Sequence, residues 1–143
     1  MIYALVVVAA FMFGMYNVFI KLSSSHIDAV LGAVVLQFIA ALIGLALLIY
    51  MKINGSHIFS TPKGIGLAVG AGVAIGLVEI LTFFIYGRGL EVSVGNPLII
   101  GGSLVVTTAA GVLFMREDIN AMQLVAIALI AAGVALMAWA AGR

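Results

Sequence analysis

The chain contains no cysteine and little charge: its 143 residues include six Lys or Arg and five Asp or Glu. Without cysteine, a disulfide framework, thiolate chemistry and a cysteine-ligated metal are excluded. Charged residues make up 8% of the chain, against about 25% in soluble domains, which excludes a soluble globular fold. The net charge of +1 provides no basic surface of the kind that binds nucleic acid.

Catalytic and cofactor motifs are also missing. The glycine-rich part of the chain does not complete a G-x-G-x-x-G pattern, and no phosphate-binding P-loop sequence occurs. His26 and His57 are far apart, without a ligand-spaced partner, and Ser93 and Ser103 have no recognisable base. The sequence therefore predicts no enzyme, no cofactor and no metal site.

Long apolar runs are what the chain does contain. Hydrophobic residues account for 66% of it, and its mean hydropathy is +1.38. A helix needs about 20 apolar residues to cross a bilayer, and polar breaks divide this chain into five such runs. We predict an all-α integral membrane protein, multi-pass in the inner or plasma membrane. Its single transmembrane domain covers residues 1–143, with helices at about 2–22, 28–51, 64–87, 92–115 and 121–141.

The third run, residues 64–87, contains one carboxylate, Glu79, well inside an otherwise apolar stretch. A charge at that depth costs roughly 3 kcal/mol or more unless it is paired, solvated or protonated. Glu79 is therefore the first candidate for binding a substrate or a proton. The alternative is a structural role, in which Glu79 is hydrogen-bonded to a neighbouring helix.

Glycines divide the third helix into two predicted faces. At steps of about 100° per residue, one face carries Gly72, Gly76, Glu79, Phe83 and Tyr86. Gly66 and Gly70 lie on a different face, and both glycine pairs have the G-x-x-x-G spacing that lets a second helix approach closely. We expect a central helix that packs through glycine on one face and lines a polar site with Glu79 on the other.

Four further residues are candidates for the wall of that site: Asn17, Gln37, Tyr86 and Asn96. Asn17 and Gln37 either contact a substrate or simply bond across helices. Asn96 precedes Pro97, and two interpretations are open there. Either Asn96 caps a helix that starts at the proline, or it lies in a helix that the proline interrupts; we favour the cap.

The positive charges give almost no preferred orientation in the membrane. With five helices, one side receives the amino terminus, Lys52, Lys63 and Arg116, and the other receives Lys21, Arg88 and Arg143. Such a balanced chain can insert both ways, and two oppositely inserted copies form an antiparallel homodimer. That dimer reproduces the inverted repeat of many secondary transporters, with a site between the halves. The alternative is one orientation fixed by the terminal amine or by an assembly factor.

Two stretches resemble the drug/metabolite transporter superfamily, particularly its EamA-type unit of five helices. AAFMFGMYNVFIKLSS, residues 9–24, is similar to the opening helix, with Gly14 followed by Lys21. GVLFMREDINAMQLVAIALIAAGVALM, residues 111–137, is similar to the last two helices and the turn between them, which here contains Glu117. Most such transporters carry two units of opposite orientation in one chain. The resemblance therefore implies a half-transporter, of which two copies assemble.

The resemblance extends to the small multidrug resistance proteins, four-helix relatives that act as antiparallel dimers. Their first-helix carboxylate has no acidic counterpart here, because the corresponding position is Phe13 or Gln37. Their exchange of a cation for a proton is therefore not transferred to those positions. A proline usual in the fourth helix of the family is missing too, since Pro97 lies earlier.

Together these features predict a secondary transporter that exports small polar or cationic metabolites or drugs. We expect it to work as an antiparallel homodimer in the lipid bilayer, by alternating access. A further hypothesis is that Glu79 couples this transport to protons. The predicted site lies between the protomers and contains two Glu79 side chains. The alternative is a membrane subunit without transport of its own, or a half-transporter that needs a different partner chain.

Overall fold

The computed structural model describes residues 2–141, whose regular structure consists of α-helices. The helices are α1 (Ile2–Ser23), α2 (Ala29–Ile53), α3 (Pro62–Gly87), α4 (Val92–Met115) and α5 (Ala121–Ala141). All five are long and apolar enough to cross a membrane. The predicted membrane protein with five transmembrane helices is thereby confirmed. The amino terminus and Arg143, both used in the charge balance, lie outside the described residues.

Polar residues determine where α2 and α3 begin. Asp28 is the N-cap of α2, and its side chain accepts hydrogen bonds from two backbone N–H groups of the first turn. Thr61 caps α3 in the same way, accepting from the N–H of Gly64 at 3.1 Å, and Pro62 occupies the first turn. A proline is tolerated there because the first N–H groups of a helix have no intrahelical acceptor. Helix α3 therefore begins slightly before the predicted residue 64.

The start of α4 corrects the interpretation of Asn96. The helix begins at Val92, with Glu91 as its N-cap residue, and Pro97 lies inside it. The predicted cap at Asn96 is therefore wrong, and the other interpretation, a helix that starts before the proline, holds. Pro97 has no N–H to donate to the carbonyl of Ser93, so the intrahelical ladder lacks one bond at this point.

The chain divides into two compact units, Met1–Gly89 and Leu90–Arg143. The single domain over 1–143 stays a prediction. In the first unit, α1 and α2 both pack against α3. Gly32 of α2 lies under the ring of Phe83, where an added Cβ would come within 2.6 Å of Cε1. Gln37 of α2 lies next to Gly76, so α2 and α3 run antiparallel.

The second unit is a pair of helices, α4 and α5. Gly101 is buried against the side chain of Val134, which an added Cβ would overlap. After α4 the chain turns at Arg116, whose φ of 56° is in the left-handed region, and the N–H of Glu117 donates to the carbonyl of Gly111 at 3.0 Å. The turn is short, so the two helices meet along much of their length.

Helix α5 begins with a reciprocal pair of bonds. The backbone N–H of Asn120 donates to Oε1 of Gln123 at 2.9 Å, and the N–H of Gln123 donates to Oδ1 of Asn120 at 2.8 Å. This is a capping box, which satisfies two of the otherwise unpaired N–H groups at a helix start.

Candidate functional site: a buried carboxylate between α1 and α3

Glu79 lies in the second half of α3 and is 2% exposed. The hydroxyl of Tyr16, on α1, donates a hydrogen bond to Oε1 of Glu79. The second oxygen, Oε2, is buried and has no hydrogen-bond partner within residues 2–141. The carboxylate is thus covered by a neighbouring helix of its own chain and is only partly satisfied.

The register between α1 and α3 explains this contact. Tyr16 meets Glu79, and further along both helices Lys21 meets Tyr86, so the two helices run parallel. Both contacts join residues on the faces that the helices turn toward each other. The face predicted for α3 from Gly76 through Glu79 and Phe83 to Tyr86 is the one that packs inside the first unit.

Tyr86, predicted as a wall residue, is 1% exposed, and its hydroxyl is buried without a partner in the described part of the chain. The ammonium of Lys21 donates to the backbone carbonyl of Tyr86 at 3.0 Å and lies 6.0 Å from the centre of its ring. A cation at the carboxyl end of a helix is favourable, because the last carbonyls there lack intrahelical donors. Lys21 therefore stabilises the end of α3 and forms no ion pair with Glu79 among the described residues.

The predicted wall residues on α1 and α2 are both partly or fully buried. Asn17 is 3% exposed, and its side-chain amide donates to the carbonyl of Phe13 at 2.9 Å, one turn back on its own helix. Gln37 is half-buried, and its side-chain amide lies beside Gly76, where an added Cβ would be 3.5 Å from Oε1. Neither side chain is bonded to Glu79 in the described structure.

Asn96 belongs to the second unit, where it is half-buried near the start of α4. It shares no helix with the other candidates, all of which lie in the first unit. The cluster that the structure brings together is therefore Tyr16, Glu79 and Tyr86, with Lys21 at its edge.

The glycines of α3 behave differently along the helix. An added Cβ at Gly66, Gly70 or Gly72 would meet nothing within 4 Å, whereas Gly76 contacts Gln37. Within residues 2–141, no neighbouring helix lies close to Gly66, Gly70 or Gly72. Close helix packing at these three glycines therefore stays a prediction.

Tyr16 is the one member of the cluster with Glu79 and Tyr86 that the sequence did not predict as a site residue. It lies inside α1, well away from both ends, so it is not an aromatic anchor at the membrane surface. A buried phenol usually has a hydrogen-bond partner, and Glu79 is the acidic residue that lies well inside a predicted span. The presence of one interior tyrosine and one interior carboxylate in the predicted spans could therefore have indicated this contact.

A partly open cavity of about 600 Å³ lies between the three helices of the first unit. Its lining is mostly apolar and comes from all three helices, with Tyr16, Ile20, Leu36 and Phe83 among the residues. Glu79 and Tyr86 are not part of the lining. A smaller cavity of about 310 Å³ in the second unit is lined partly by Glu117 and Asp118.

One comparison with known proteins gives a match. The model of the EamA-like transporter family matches residues 1–139 of the chain. No curated protein and no solved structure matches it.

Proposed function

We propose that this chain, which belongs to the EamA-like transporter family, is half of a secondary transporter that works as an antiparallel homodimer. It exports small polar or cationic metabolites or drugs by alternating access, and Glu79 binds a proton or the substrate in turn. The observation that carries this proposal is the state of Glu79, which is 2% exposed with one oxygen unpaired.

A buried carboxylate needs groups that replace its lost hydration. Removing a carboxylate from water costs several kcal/mol, and the cost is offset only by a cation, by hydrogen bonds or by a proton. Within residues 2–141, Glu79 has one hydrogen bond and no cation. A proton or a cationic ligand from outside the chain would supply what is missing. A carboxylate that binds a proton and a cationic ligand alternately can couple the transport of one to the transport of the other.

The position of Glu79 modifies the predicted site between protomers. Tyr16 of the same chain covers the carboxylate, which favours one site within each protomer over one site shared by two Glu79 side chains. In this arrangement, movement of α1 against α3 exposes and covers Glu79. The two protomers would then contribute equivalent sites of opposite orientation.

The proton role of Glu79 is tested by Glu79→Gln in liposomes. The variant keeps the shape of the side chain and removes its titration. The probes are leucine, putrescine and glucose, which represent a zwitterion, a cation and a neutral molecule, and currents are recorded on a solid-supported membrane across a pH gradient. We expect wild-type currents with an ammonium-bearing probe that depend on the gradient, and loss of that dependence in Glu79→Gln.

Glu91→Gln is the matched control, because Glu91 is an exposed carboxylate outside the membrane spans. It should retain the wild-type currents. Coupling that persists in Glu79→Gln contradicts the proton role. A wild-type protein that carries no probe supports the alternative, a subunit that needs a different partner chain.

The antiparallel arrangement rests on the balance of positive charge and needs a topology measurement. Gly89 is unsuitable for a reporter cysteine, because its φ of 101° favours glycine. Ser25 and Ser56 are exposed serines in successive loops, which alternation of the helices places on opposite sides of the membrane. Single cysteines at these positions, labelled in intact cells with an impermeant thiol reagent, should both be partly reached. Labelling of one alone would show a fixed orientation.

A further inference from the structure

The cavity of the first unit arises from the way its helices pack. Helices α1 and α2 each pack on α3 more extensively than on each other, which leaves a space between them above α3. Its volume of about 600 Å³ is within the range of small-molecule sites, roughly 300–1,000 Å³. Nearly all of its lining is apolar, with Phe19 and Ile20 from α1, Val35 and Leu36 from α2, and Phe83 from α3.

Tyr16 connects this cavity with the carboxylate. Its side chain is part of the cavity wall, and its hydroxyl donates to Glu79. Glu79 itself does not line the cavity. Tyr16 is therefore the wall residue that is hydrogen-bonded to Glu79, and a group in the cavity that takes the place of its hydroxyl gains Oε1 of Glu79 as a partner.

The chemistry of the displacing group follows from what Glu79 would lose. Removing a donor from a buried carboxylate oxygen is costly unless another donor replaces it. The second oxygen of Glu79 already lacks a partner, so a group with several donors and a positive charge fits best. A primary or secondary ammonium has both properties. Lys21 cannot supply them while its ammonium is held by the carbonyl of Tyr86.

We infer that this cavity binds the apolar body of a ligand that carries a primary or secondary ammonium group, and that this ammonium displaces the Tyr16 hydroxyl from Glu79. The inference rests on the proposed function for its claim that the ligand is a substrate. It narrows the substrate class to compact apolar amines, and it assigns Tyr16 the role of a competitor that covers the carboxylate between binding events.

The distinguishing test is Tyr16→Phe, which keeps the ring in the cavity wall and removes the hydroxyl. The probe is 2-(1-naphthyl)ethylammonium, whose binding to the protein in lipid nanodiscs is measured by equilibrium dialysis, with empty nanodiscs subtracted. We expect Tyr16→Phe to bind the probe about tenfold more tightly, the usual effect of removing one competing hydrogen bond. A hydroxyl that contacted the ligand directly would give weaker binding instead. Tyr50→Phe, at an exposed position, should bind like the wild type.

Two further measurements keep the inference open to contradiction if Tyr16→Phe is poorly folded. Val35 lines the cavity on α2, so Val35→Trp should narrow the cavity and weaken probe binding about tenfold. The N,N,N-trimethyl form of the probe, which has no N–H donor, should bind the wild type about tenfold more weakly than the parent amine. Equal binding of the two probes, or of Val35→Trp and the wild type, would overturn the inference.

Binding is measured here without flux, so the two proposals fail separately. The expected binding pattern without transport would contradict the transporter while leaving the amine site in place. Transport of amines with an unchanged affinity in Tyr16→Phe would leave the transporter in place and contradict the role assigned to Tyr16.

Discussion

The two units of the chain bury different kinds of residue. In the first unit, polar side chains are enclosed: Asn17, Glu79 and Thr82 are each less than 5% exposed. In the second unit, the buried positions of α4 are glycines, and α5 has no buried residue among those described. Polar side chains are therefore concentrated inside the first unit, whereas small residues in the second unit bring two helices together.

The acidic residues show the same contrast. Glu79 lies inside a span under Tyr16. Glu117 lies in the turn between α4 and α5 and is exposed, with its carboxylate folded over Gly111, where an added Cβ would come within 2.6 Å of Oε2. One carboxylate is in an environment where its charge is costly, and the other is at a helix end where water can solvate it. Burial, rather than residue type, makes Glu79 the candidate.

The largest expected effect concerns the packing of the second unit. Gly101→Ala places a methyl group where the side chain of Val134 lies, so α4 and α5 must separate locally. Overpacking of this kind costs about 1–3 kcal/mol. The readout is the SDS titration of the purified protein followed by the fluorescence of Trp139, the single tryptophan, which lies in α5.

Gly102→Ala is the matched control, because an added Cβ at Gly102 meets nothing within 4 Å. Its SDS midpoint should be unchanged or slightly raised, since alanine favours helix. Equal midpoints for the two variants would mean that the contact at Gly101 does not hold α4 and α5 together. The second unit would then not be stabilised by close packing of small residues, as the comparison between the units states.

The helices could be predicted from sequence, because each apolar run is long enough to span a bilayer and polar residues mark its ends. The depth of Glu79 was evident for the same reason. Which helix faces pack against each other was harder to predict. These helices are apolar on nearly all sides, so the period of 3.6 residues that marks the buried face of a soluble helix carries little information here. Only the rare polar and glycine positions indicate a face.

This explains which parts of the site were predicted. Glu79 and Tyr86 share a face of one helix, so spacing alone groups them. Tyr16 joins them only through the packing of α1 on α3, which no spacing within α1 specifies. The cap at Asn96 was wrong for a different reason. A proline is tolerated within a helix when one lost hydrogen bond is outweighed by the remaining contacts, and local preference did not decide the start of α4.

A pair of smaller effects separates the two buried phenols of the first unit. Tyr16→Phe removes the donor of Glu79, and the loss of this one hydrogen bond costs about 1 kcal/mol. Tyr86→Phe removes a hydroxyl that has no partner in the described structure and keeps the ring beside Lys21. Its stability should be unchanged or slightly raised, because burying an unpaired hydroxyl is itself unfavourable.

Both variants are compared by the temperature at which half of the protein in micelles leaves the monodisperse peak on size-exclusion chromatography. A change of 1 kcal/mol corresponds to roughly 2–4 °C for a chain of about this size, so Tyr16→Phe should lie clearly below the wild type and Tyr86→Phe at or above it. Equal destabilisation by both would mean that the Tyr86 hydroxyl is bonded in the folded protein, for example to a buried water near Glu79. A stable Tyr86→Phe that nevertheless loses affinity for the naphthyl probe would show that this hydroxyl is kept unpaired for a ligand rather than for the fold.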